Sequence, residues 1–207
     1  MSKKILLFIL FTSLALIAIS LYLISVIDPG NKPKPTAEIT NIIVKDIKIT
    51  ESFNLLDGEN KPFTNANLLG KYTMLYFGFT HCPDLCPYTL QKFKESAALL
   101  TKEELNEVQF VFVSIDPSRD NDKALQAFVT ENGENQVIGV TGDKSELDKL
   151  ASSLKAYYAK TDDKENYYVD HTSFVYLLDP KAQLMTQFSQ GASAEEMATV
   201  IKEKMVK

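Results

Sequence analysis

From Ile5 to Ile27 the chain reads ILLFILFTSLALIAISLYLISVI, with no charged residue. A helix needs ~20 such residues to cross a hydrocarbon core of ~30 Å. The run is longer than the ~7–15-residue apolar region of a cleaved signal peptide, which would also end in a small-x-small site. No A-x-A precedes Asp28. Residues 1–27 therefore predict a short cytoplasmic N-terminus and one transmembrane helix. Lys3 and Lys4 lie before the apolar run, which places residue 28 onward outside the cytoplasm. In a bacterium that is an inner-membrane anchor with the following domain in the periplasm. Residues 28–38, DPGNKPKPTAE, hold three prolines and no apolar periodicity. They predict an extended linker, at ~3.1 Å per residue.

Residues 39–207 carry the pattern of a folded domain. SFNLL (52–56) predicts a short strand before the turn DGEN. YTMLYFGF (72–79) is apolar without alternation, the mark of a strand buried on both faces. A helix at 87–100, a strand at 108–115 and a helix near 122–132 follow. Then come a strand at 137–140 and a helix at 143–156. SFVYLL (173–178) and QLMTQF (183–188) flank DPKA and predict a hairpin. A last helix, about 194–206, opens with the capping box Ser193-x-x-Glu196. Tyrosine-rich 157–170 reads as a flap or short hairpin. Strand–helix–strand, then helix, strand and helix, then a hairpin and a helix, is the order of an α/β, thioredoxin-like fold. It has a central mixed sheet with helices on both faces.

Charge narrows the partners. Lys and Arg number 22 against 27 Asp and Glu, for a net charge of −5. That excess argues against nucleic acid and against an anionic membrane surface as ligands.

The candidate chemistry sits in YFGFTHCPDLCPYTL, residues 76–90, which holds both cysteines of the chain, Cys82 and Cys86, and one of its two histidines, His81. A structural staple, a redox pair and a metal clamp are the possible readings. A disulfide across so short a loop stabilises little, because the effect grows with loop length. Each cysteine precedes a proline, which disfavours helical backbone. The spacing thus predicts a helix starting at Pro87 with Cys86 at its cap, where the helix end lowers a thiol pKa. A thiolate serves redox and metal chemistry alike. Cys82 would attack and Cys86 resolve in a thiol–disulfide reductase. A thiol peroxidase is disfavoured, as no arginine lies beside the loop.

His171, in VDHTSF, precedes the strand at 173 and should face the cysteine loop in such a sheet. Two thiolates and one imidazole suit Cu(I), whereas structural zinc takes four protein ligands. His81 adjoins Cys82 but is expected to point away. The single arginine, Arg119, lies in DPSRD, where its planar fork could pair with Asp116 or Asp120. Asp116 could also act as an acceptor behind the metal loop.

YFGFTHCPDLCP, SIDPSRD and DHTSFVYLLDP resemble the Sco/SenC family of copper proteins, which assist assembly of cytochrome c oxidase. FNLLDGENKPFTNANLLGKY is similar to that family's lead-in, and the resemblance runs over roughly residues 40–206. It implies a metallochaperone rather than an enzyme, holding copper, Cu(I) and possibly Cu(II), on Cys82, Cys86 and His171. The implied client is the CuA site of oxidase subunit II. Reduction of that site's cysteines by Cys82 and Cys86 is the alternative the resemblance also carries.

Overall fold

The computed structural model describes residue 4 and residues 12–20, 47–161 and 167–206. The chain divides into two compact units, Met1–Ile43 and Val44–Lys207. In the first, residues 12–20 are helical, and Leu14, Leu16, Ile17 and Ile19 are exposed. Among the described residues no helix is long and apolar enough to cross a membrane. The rest of the anchor expected at 5–27, and the linker expected at 28–38, lie outside the described residues.

The second unit is built on a seven-stranded mixed sheet. Its strands are β1 (Asn54–Asp57), β2 (Pro62–Thr64), β3 (Tyr72–Gly78), β4 (Val108–Ser114), β5 (Val137–Thr141), β8 (Val175–Leu178) and β9 (Leu184–Phe188), in the order β2-β1-β5-β4-β3-β8-β9. β3, β4 and β5 run parallel, while β1 and β8 pair antiparallel to β5 and β3. The helices are α1 (Leu85–Ala98), α2 (Lys102–Asn106), α3 (Asp122–Gly133), α4 (Lys144–Ser153) and α5 (Ala194–Met205). A separate two-stranded sheet joins β6 (Tyr158–Lys160) to β7 (Val169–His171).

β3 explains the layering. Its side chains alternate between two buried clusters. Met74 and Tyr76 pack with Leu90 and Phe93 of α1, Leu125 and Val129 of α3, and Met197 and Ile201 of α5. Leu75 and Phe77 pack on the opposite face with Leu147 and Leu150 of α4. A strand covered on both faces needs apolar side chains at odd and even positions, which is what YTMLYFG supplies. The thioredoxin-like arrangement expected from the element order is thus present.

Register decides where chemistry can gather. Gly78 at the carboxyl end of β3 pairs with Ser114 at the carboxyl end of β4. The loops THCPDLC and DPSRD therefore leave the sheet side by side. Tyr76 pairs with Val175 at the start of antiparallel β8, so the segment entering β8, which holds His171, reaches the same end. Functional groups of open α/β sheets collect there.

Candidate metal centre

The helix after the cysteine loop starts earlier than expected. α1 begins at Leu85, with Asp84 as N-cap, and Cys86 lies inside its first turn rather than at the cap. Pro87 permits this. First-turn N–H groups have no partner within a helix, so proline forfeits nothing there. Among the described residues the Asp84 side chain makes no capping bond. The sulfur of Cys82 takes that role, accepting from the Cys86 N–H at 3.4 Å. A turn from Cys82 N–H to the Phe79 carbonyl, 3.2 Å, brings Cys82 back over the helix end.

The two thiols are consequently unequal. Cys82 is held down to about 5, first by the hydrogen bond from the Cys86 thiol and then by the backbone N–H groups of Cys86, Asp84 and Leu85, against the opposing effect of burial. Cys86 is pushed up, by the same bond to Cys82, by burial and by the neighbouring negative charge. The lowered thiol expected at the helix N-terminus is thus Cys82, not Cys86. Both cysteines are free thiols, Cys82 half-buried and Cys86 buried. Gly78 makes room for the inner sulfur: a Cβ there would stand 2.7 Å from Cys86 Sγ and 2.6 Å from the Phe112 ring.

Tyr76 touches both kinds of candidate ligand. Its hydroxyl lies 3.8 Å from Cys86 Sγ, and its ring meets His171 edge-on, centroids 6.0 Å apart. The Gln190 amide donates to the Tyr76 oxygen at 3.4 Å and to the Ser173 carbonyl at 2.7 Å. That leaves the phenol proton for the sulfur. Phe79 also packs edge-on against His171, at 6.0 Å. His171 Nδ1 lies 3.0 Å from the Thr172 carbonyl, which only accepts, so Nδ1 carries the proton and Nε2 keeps a lone pair. Among the described residues, however, no three His, Cys, Asp or Glu side chains are grouped closely enough to hold a metal ion.

SIDPSRD supplies two separate supports. Asp116 is fully buried and accepts from Arg119 Nε and from the Tyr167 hydroxyl, each at 2.5 Å. Arg119 pairs with Asp116 through Nε alone, not through a two-pronged fork. Its Nη1 donates to the Tyr167 carbonyl at 2.9 Å, and its guanidinium covers the Tyr167 ring at 3.7 Å and the Phe79 ring at 5.9 Å. These contacts tie the β6–β7 hairpin to the body beside His171. Both Asp116 oxygens are taken by Arg119 and Tyr167, and the carboxylate that reaches the cysteine loop is Asp120. Buried Asp120 accepts from Thr80 N–H (2.8 Å), Thr80 Oγ1 (2.6 Å) and Ser114 Oγ (2.6 Å). Sequence reasoning named Asp120 only as a second partner for Arg119. Residue spacing alone gives no sign that a carboxylate in the loop after β4 will cap a neighbouring loop.

A family model described as SCO1/SenC matches residues 44–206. A SCO2-like protein of Rickettsia conorii is 35% identical over 167 residues, covering 79% of this chain and 80% of that protein. The crystal structure of Arabidopsis thaliana ScoI with copper bound superposes with a TM-score of 0.68 at 32% identity, covering 78% of this chain and 100% of that one. The fold also matches BsSco, described as a member of the Sco family of cytochrome c oxidase assembly proteins with a disulfide switch. There the TM-score is 0.63 at 22% identity, over 77% of this chain and 94% of that one.

Proposed function

Because the chain belongs to the SCO1/SenC family, we propose that it is a membrane-anchored copper-binding protein that assists assembly of the CuA centre of cytochrome c oxidase. Cys82, Cys86 and His171 are its copper ligands, and oxidase subunit II is the client. Residues 5–27 anchor it, with the domain outside the cytoplasm. Copper is cargo here, taken up and handed on.

The observation that carries the reading is Tyr76, whose hydroxyl meets Cys86 Sγ while its ring meets His171. One buried side chain thus spans a soft sulfur donor and an imidazole with a free Nε2. Two thiolates and an imidazole form a donor set suited to Cu(I), and the imidazole also accommodates Cu(II). Among the described residues the three donors are not grouped, so this reading requires the β6–β7 hairpin, which carries His171, to approach the cysteine loop when copper binds. That hairpin belongs to its own small sheet, outside the seven-stranded one.

The inequality of the two thiols favours a second reading. A lowered, half-exposed Cys82 beside a raised, buried Cys86 is the division of labour of an attacking and a resolving thiol. In that role the pair would reduce the oxidase subunit's cysteines. Oxidase activity in cells carrying His171→Ala separates the two. Metal delivery needs the imidazole and disulfide exchange does not. Copper delivery requires loss of oxidase activity in this variant, as in Cys82→Ser and Cys86→Ser. Normal oxidase activity with His171→Ala, and none with either serine variant, replaces delivery with reduction.

A further inference from the structure

We propose that His81 is a transfer ligand, the exposed nitrogen through which Cu(I) passes onto and off Cys82. The inference deepens the copper reading and rests on it. His81 immediately precedes Cys82, and its side chain is 52% exposed, whereas Cys82 is half-buried and Cys86 is buried. It is therefore more exposed than either sulfur of the cysteine loop.

A hydrogen-bond chain fixes which ring nitrogen is available. The Asp120 carboxylate only accepts. Thr80 has a single hydroxyl proton, committed to Asp120 Oδ1 at 2.6 Å. Towards His81 Nδ1, 3.1 Å away, Thr80 Oγ1 can then only accept. Nδ1 carries the proton, with Asp120 Oδ1 itself 3.5 Å from it. Nε2 is left with a lone pair. A carboxylate acting behind the ring, here through Thr80, is the support that orients metal-binding histidines.

The competing role, that His81 serves to satisfy Asp120, finds little need. Asp120 already accepts from the Thr80 N–H, the Thr80 hydroxyl and the Ser114 hydroxyl. Transfer through His81 is a ligand exchange. A Cu–Nε2 bond forms as a bond to the carrier breaks, and a Cu–S bond to Cys82 then replaces it. Copper stays Cu(I), and Nε2 has no proton to lose.

The test uses the reduced, full-length protein in detergent micelles. Long-range ¹⁵N–¹H NMR of the reduced, histidine-labelled protein without added copper should show His81 protonated on Nδ1. Stopped-flow transfer of Cu(I) to and from bicinchoninate gives the second readout. His81→Ala should slow loading and release by the same factor, with the equilibrium partition of copper unchanged. Wild-type rates in His81→Ala overturn the proposal. So does a partition lost as far as the rates, which makes His81 a resident ligand, and so does His81 protonated on Nε2 in the unsubstituted protein. Failure of the unsubstituted protein to take up Cu(I) at all is a separate result, and removes the copper reading itself.

Discussion

The backbone N–H of Cys86 donates to the sulfur of Cys82 across 3.4 Å, so one thiol caps the helix that carries the other. The hydrogen bond from the Cys86 thiol, and after it the backbone N–H groups of Cys86, Asp84 and Leu85, hold Cys82 down to about 5. In the reduced, metal-free protein, iodoacetamide should modify Cys82 rapidly at neutral pH, with the rate falling only as pH drops toward 5. A rate that instead climbs through pH 8 to 9 would mean an ordinary thiol. The same shift links to folding. Since the folded value lies below the unfolded one, the stabilisation is fully present above about pH 9. It declines as pH falls and is gone below about 5. Cys82→Ser should therefore flatten the pH dependence of denaturant midpoints across that window.

Gly78→Ala tests the packing of the inner sulfur. The new Cβ would stand 2.7 Å from Cys86 Sγ and 2.6 Å from the Phe112 ring, so one of them must move. Overpacking of this kind costs about 1–3 kcal/mol. Chemical denaturation should show that loss, and competition with a Cu(I) chelator should show weaker copper retention. Retention equal to the unsubstituted protein would mean that the position of Cys86 is not critical.

Arg119→Lys tests the tie between the hairpin and the body. Lysine cannot hold Asp116 and the Tyr167 carbonyl together while covering the Tyr167 ring. The loss is expected to be about 1–3 kcal/mol. It should appear as faster amide hydrogen exchange at Thr161 and Tyr168, which pair across the hairpin, with strands β3 and β4 unchanged. Unaltered exchange at those two amides would show that the hairpin is held by other contacts.

Membrane attachment has its own test. The uncharged run 5–27 behind Lys3 and Lys4 leads us to expect a chain that resists carbonate extraction and whose domain external protease degrades in spheroplasts. A protected domain would reverse the topology.

The parts legible in the sequence were those written in long apolar patterns. YTMLYFGF announces a two-sided strand because apolar side chains fill odd and even positions alike from Met74 to Phe77, and β3 is buried on both faces. The hairpin around DPKA and the last helix likewise follow local turn and cap chemistry. Short elements were missed. β2 has three residues and opens with Pro62 at the sheet edge, so it has too few positions for alternation to show. α2 carried a readable signal, the capping box Thr101-x-x-Glu104. At the site, residue types pointed to Cys82, Cys86 and His171. The start of α1 was misplaced because the restriction on residues before proline was given more weight than a first turn imposes. The roles of Asp120 and Tyr76 depend on register between strands distant in sequence, which local pattern does not encode.

The most direct measurement is copper X-ray absorption on the reduced protein loaded with one equivalent of Cu(I), beside His171→Ala. Two sulfur scatterers and one nitrogen scatterer are expected in the unsubstituted protein, with the nitrogen lost and both sulfurs kept in the variant. Identical spectra for the two proteins, or copper bound without sulfur, would contradict ligation by Cys82, Cys86 and His171.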